Sequence, residues 1–70
     1  MGAIPAGARV LVRAHNAPPW LTGPPLGLHY GSFRGVLLEP CNGEGWDVVD
    51  VRAVSGRVRS VYSFSVERSV

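Results

Sequence analysis

Valines alternate with polar residues along most of this chain, at the spacing of half-buried strands rather than helices. In ARVLVRA (Ala8 to Ala14) the alternation sets Val10, Val12 and Ala14 on one face and Arg9, Leu11 and Arg13 on the other. FRGVLLE (Phe33 to Glu39) predicts a second strand, with Gly35 suited to a bend or a close backbone approach. WDVVDVR (Trp46 to Arg52) predicts a third. RVRSVYS (Arg57 to Ser63) predicts a fourth, with Val58 and Tyr62 on one side and Arg57, Arg59 and Val61 on the other. FSVER (Phe64 to Arg68) completes the set as a short fifth strand after a tight corner. Turn signals fall between these runs. PCNGEG (Pro40 to Gly45) contains Asn42-Gly43, a strong hairpin signal, and VSG (Val54 to Gly56) predicts the next turn.

The first connector, APPWLTGPPLGLHYG (Ala17 to Gly31), is long and apolar, with four of the six prolines, one of the two tryptophans and three leucines. Loops normally lie in water and are polar, so something covers this one. The cover is either the chain's own core, with Trp20, Leu26 and Leu28 capping an open end, or another molecule. Pro18-Pro19 and Pro24-Pro25 stiffen the loop, which lowers the entropy lost when it docks. Trp20 and Tyr30 are residue types that dominate interface hot spots. The partner-facing set read from the sequence is Trp20, Leu21, Leu26, Leu28 and Tyr30. No two prolines lie three apart, so the loop is not an obvious Pro-rich ligand for another domain.

An all-β single domain over residues 1–70 follows, with an extended first loop at 15–32. The pattern resembles an SH3-like small β-barrel of the kind found in KOW and Tudor modules. The resemblance rests on GARVLV opening the first strand, RGVLL as the Gly-Val second strand and the closing YSFSVERSV, and it covers nearly the whole chain. It implies five strands closed into a barrel. The five-stranded oligonucleotide-binding barrel is the alternative, but that fold is usually longer and carries a helix.

Size and charge narrow the function. A chain of 70 residues buries a modest fraction of its surface, and a single cysteine, Cys41, excludes an internal disulfide. Burial against another copy or another protein is the remaining source of stability, so a protein partner or homo-oligomer is expected. No apolar run is long enough to span a membrane as a helix. The start, MGAIPAGARV, lacks a basic segment followed by a long hydrophobic stretch, and Ala6 stands where a myristoylation signal needs Ser or Thr. The expectation is a cytoplasmic protein with no membrane partner. Arginine without lysine, together with much Gly, Ala, Pro and Val, suggests a GC-rich bacterial or phage genome and an accessory or virion-assembly role. A net charge of +2 is too weak to mark a nucleic-acid binder by itself, despite the pI near 9.3.

Chemistry for catalysis is sparse. His15, His29 and Cys41 are the only soft ligands and have no finger-like spacing, so neither a metal nor a cofactor is expected. Asp47 and Asp50, three apart on a strand, point to opposite faces, and Glu39 and Glu44 bracket a turn as solvated charges. No serine sits in a nucleophile elbow, and Gly43 to Gly45 reads as a hairpin tip rather than a phosphate cradle. The last third is similar to the plasmid-borne, trimethoprim-insensitive dihydrofolate reductases. EGW (Glu44 to Trp46), the glycine turn at Gly56, and VY followed by VER (Val61-Tyr62, Val66 to Arg68) resemble that family's EGY…PGS…IY…LER stretch. The family is also a short SH3-like barrel, active as a tetramer with a shared pore lined by Val-Gln-Ile-Tyr. Here the corresponding residues are Arg59-Ser60-Val61-Tyr62, so the glutamine that holds folate and nicotinamide is missing. The first loop is also much longer than that family's. The resemblance implies a self-associating barrel rather than catalysis, and no catalytic residue is assigned.

Recognition is what remains. Arg9 and Arg13 share a strand face, as do Arg57 and Arg59. Because first and last strands neighbour each other in an SH3-like barrel, the four can form one basic patch for nucleic acid, or can simply solvate two outer faces. The expected function is a non-enzymatic binding or assembly module. It uses the Ala17–Gly31 loop against a protein, with the basic face available for nucleic acid.

Overall fold

Alternation decides which face of each strand turns inward. The computed structural model describes residues 3–69. Met1 and Gly2 of the MGAIPA start and Val70 of the closing YSFSVERSV lie outside the described residues. The strands are β1 (Arg9–Val12), β2 (Phe33–Leu37), β3 (Val48–Ala53), β4 (Val58–Tyr62) and β5 (Val66–Arg68), with a 3-10 turn at Ser63–Ser65 between the last two. All pairings are antiparallel, and the five strands form one sheet in the order β4-β3-β2-β1-β5. Val10, Val12, Leu37, Val51, Val61 and Val66 are essentially removed from water and form the centre of the core. Ile4, Ala8, Leu28 and Cys41 close its margin.

Most boundaries differ from the sequence pattern for identifiable reasons. The first strand was expected to reach Ala14, but Ala14 is exposed and its carbonyl accepts from the Ala17 amide at 3.2 Å, which starts a turn. Trp46 precedes β3 rather than beginning it, because Gly45 takes a φ of 78°. Phe64 lies in the 3-10 turn, not in β5. Asn42-Gly43 does not make a two-residue hairpin: residues 38–47 join β2 to β3. Within that connector Cys41 leaves the sheet to exchange backbone hydrogen bonds with Ile4, at 2.6 and 3.0 Å. The Asn42 side-chain carbonyl accepts from the Glu44 amide at 2.9 Å and from the Ser63 hydroxyl at 3.1 Å, tying the connector to the 3-10 turn. The turn at Val54–Gly56 stands as expected, with the Gly56 amide donating to the Ala53 carbonyl at 2.8 Å.

Close approach explains two glycines. Gly35 is paired with Val10 and with Ala53, and a Cβ there would run into the Arg52 carbonyl. Gly27, at φ +80°, lies so near β4 that a Cβ would meet the Ser60 carbonyl and a Val61 methyl, both at 2.6 Å.

The sheet bends. Tyr62 ends β4 and Val66 begins β5, so four extended residues span at most about 14 Å between them. The edges of a flat sheet of five strands would stand about 19 Å apart at ordinary strand spacing. The short link therefore keeps the end of β4 within about 14 Å of the start of β5.

Turns order the first loop. Backbone bonds run from Leu21 to Pro18, from Leu28 to Pro25 and from Gly31 to Leu28, at 3.0 to 3.1 Å. Proline suits the second position of such turns, where Pro19 stands, and positive φ suits the third, where Gly27 stands. No helix among the described residues is long and apolar enough to cross a membrane.

Candidate functional site

The loop does not act as one unit. Leu28, 5% exposed, and Pro25 turn into the core, so Leu28 is a capping residue and leaves the expected partner-facing set. Trp20 is 70% exposed and does not cap the core. Leu21 is half-buried, while Leu26 and Tyr30 are exposed on the part of the loop that faces β4.

Trp20 is held outside by a stack. Its ring lies 5.7 Å from that of Trp46, with 19° between the planes. Trp46 in turn meets Tyr62 and Phe64 edge-on, at 5.2 and 5.0 Å, and those two rings stack on each other at 5.2 Å. Four of the six aromatic residues thus form a ladder that rises from the buried Phe64 to the exposed Trp20. Backbone bonds fix its base. The Ser63 amide donates to the Asp47 carbonyl at 2.7 Å and the Phe64 amide to the Gly45 carbonyl at 3.1 Å. These bonds place Trp46 directly over the corner between β4 and β5. Trp46 is 48% exposed, and the exposed acids Glu44 and Asp47 flank it in the chain.

Sequence reasoning found Trp20 and missed Trp46, Tyr62 and Phe64. Trp46 passed for a strand residue and Phe64 for another, although a tryptophan between glycine and aspartate is poorly placed to enter a core. The alternation around Val61 assigns Tyr62 to the outer face, but no local pattern shows that Trp46 lies against it.

The arginines are distributed differently from the expected patch. β1 neighbours β2 and β5, whereas β2 and β3 stand between it and β4, so Arg9 and Arg13 do not share adjacent strands with Arg57 and Arg59. Arg13 is engaged by Glu67 at 2.7 Å, with His15 at 3.8 Å from the same carboxylate. Arg9 instead shares a shallow groove of about 320 Å³ with Arg34. Arg59 turns partly inward, its guanidinium carbon 5.1 Å from the centre of the Phe33 ring. Among the described residues neither Arg57 nor Arg59 makes an ion pair.

No group of three or more His, Cys, Asp or Glu side chains that could hold a metal ion occurs among the described residues. Cys41 is free and buried. Asp50 holds the Ser60 hydroxyl at 2.8 Å, and the Glu39 carboxylate accepts from the Asp50 amide at 3.2 Å. These acids serve the β3–β4 face rather than a shared substrate position. No protein-family model, curated protein or solved structure matches the chain.

Proposed function

We propose that this chain is a protein-binding module. Its sheet closes as an SH3-like barrel, and it engages a partner through the aromatic ladder headed by Trp20 and Trp46. The observation that carries the reading is a pair of stacked tryptophans held at the surface by an otherwise ordered corner. Large exposed aromatics of this kind supply most of the energy at protein interfaces. The Pro18–Leu21 turn and the stack order Trp20 before binding, so little conformational freedom is lost on docking. Glu44 and Asp47 beside the ladder make no ion pair among the described residues. The surface therefore suits a segment that carries a cation as well as an apolar side chain. Closure of the barrel is supported by the short link between β4 and β5 and by the contact of Gly27 with β4.

Titration of the protein with short basic peptides, followed by tryptophan emission, tests the reading. Binding that Trp20→Ala weakens by about 30-fold or more supports it. Emission that no peptide or copurifying protein alters would remove it. A second copy of the chain is an alternative partner, and sedimentation of the protein alone separates that case. The reductase reading is weaker: Val61 is wholly buried and the Ser60 hydroxyl is held by Asp50, so neither suits the lining of a shared pore. No oxidation of NADPH in the presence of dihydrofolate is expected.

A further inference from the structure

We infer that a second surface, between the end of the first loop and β4, binds a nucleoside phosphate. A cavity of about 330 Å³ opens there, lined by Leu26, His29, Tyr30, Arg57, Arg59 and Ser60. No acidic residue lines it. This contrasts with the far end of β1, where Glu67 engages both Arg13 and His15. The Nε–H of Arg59 is buried and has no hydrogen-bond partner among the described residues. An anion seated against Arg57 and Arg59 would accept from the accessible N–H groups of the two guanidiniums. Phe33 lies against the Arg59 guanidinium, restricting how its fork can turn.

The opposite wall suits a planar ring. Tyr30 is 91% exposed, beside the exposed Leu26, and an exposed tyrosine face stacks a base with little regard to its identity. A phosphopeptide offers the same charge but would gain most by pairing its backbone with a strand edge. Here Gly27 already covers the Ser60 carbonyl of β4. The chemistry is a base stacked on Tyr30 with its phosphate on the two arginines, whether from a free nucleotide or from a single strand.

Three probes decide the matter by fluorescence or anisotropy titration at low salt: adenosine monophosphate, an end-phosphorylated oligothymidylate of about eight nucleotides, and a phosphotyrosyl peptide. Binding of either nucleotide probe in preference to the peptide is expected. Tighter binding of the oligonucleotide assigns a strand, and equal binding assigns a free nucleotide. Arg57→Ala and Tyr30→Ala, both at exposed positions, should each weaken binding about tenfold. Arg57→Ala combined with Arg59→Gln should lower the log–log salt slope for the oligonucleotide by about 1.4. Arg59→Lys keeps the charge but not the fork, so it should restore the slope without the full affinity. The inference is overturned if neither nucleotide binds, if the peptide binds more tightly, or if affinity ignores Tyr30 and Arg57. Arg57→Ala and Tyr30→Ala keep the test valid even where Arg59 substitutions disturb folding.

Discussion

Trp20 and Phe64 belong to the same aromatic ladder but differ in what holds them, and substitution should separate them. Phe64 is 4% exposed, so Phe64→Ala leaves a cavity, and a loss of about 3–5 kcal/mol is expected from a thermal or denaturant melt. Trp20 is mostly in water, and Trp20→Ala should cost under about 1 kcal/mol in the same melt. It should nonetheless lose about 2 kcal/mol of partner binding. A Trp20→Ala protein that melts far below the parent would return the residue to the core. Gly35 makes the third contrast. Gly35→Ala forces a methyl against the Arg52 carbonyl in the middle of the sheet, and overpacking of about 1–3 kcal/mol is expected. The same change at Gly45 meets no neighbouring atom and is strained only through its φ of 78°.

The strands themselves were legible because valine alternation is local. All five expected strands exist, and the inward face of β1 follows Val10 and Val12. What local pattern could not supply is what pairs across long stretches of chain. The bridge of Ile4 with Cys41 and the bond from the Ser63 hydroxyl to Asn42 convert an apparent Asn-Gly hairpin into a longer, tied connector. The same limit hid the site. Trp20, Trp46 and Phe64 lie in three separate segments, and the corner between β4 and β5 brings them together. Strand order likewise separates Arg9 and Arg13 from Arg57 and Arg59, because the last strand, β5, lies beside β1 while Arg59 belongs to β4. An exposed ion pair spans the join of β1 to β5. Arg13 and Glu67 are 47% and 32% exposed, so water and salt screen the pair. Glu67→Gln should cost under about 1 kcal/mol, and less in high salt, as a melt at two ionic strengths would record. A larger, salt-independent loss would mean that the pair is structural.

At the scale of the whole molecule, one core underlies both proposed surfaces. The aromatic ladder rests on Phe64, and the wall of the arginine cavity rests on Leu28 and on Arg59 over Phe33. A domain of this size is expected to unfold in one transition. The tryptophan signal in near-ultraviolet circular dichroism and the far-ultraviolet β signal should therefore disappear together. Separate transitions would show that the loop and corner unfold apart from the sheet. The two surfaces should nonetheless be separable by mutation, because neither Trp20 nor Trp46 lines the cavity that Arg57 lines. Losing peptide binding should leave nucleotide binding unchanged, and the reverse should also hold.

The chain has one thiol, buried, and its residue is one partner of the short bridge to Ile4. A buried cysteine reacts with a soluble reagent chiefly when the structure around it opens, so its labelling rate is a stopwatch for local opening. Ile4→Ala should quicken the reaction more than it lowers the melting temperature. A rate that instead follows global stability would mean that the N-terminal segment and the sheet open as one.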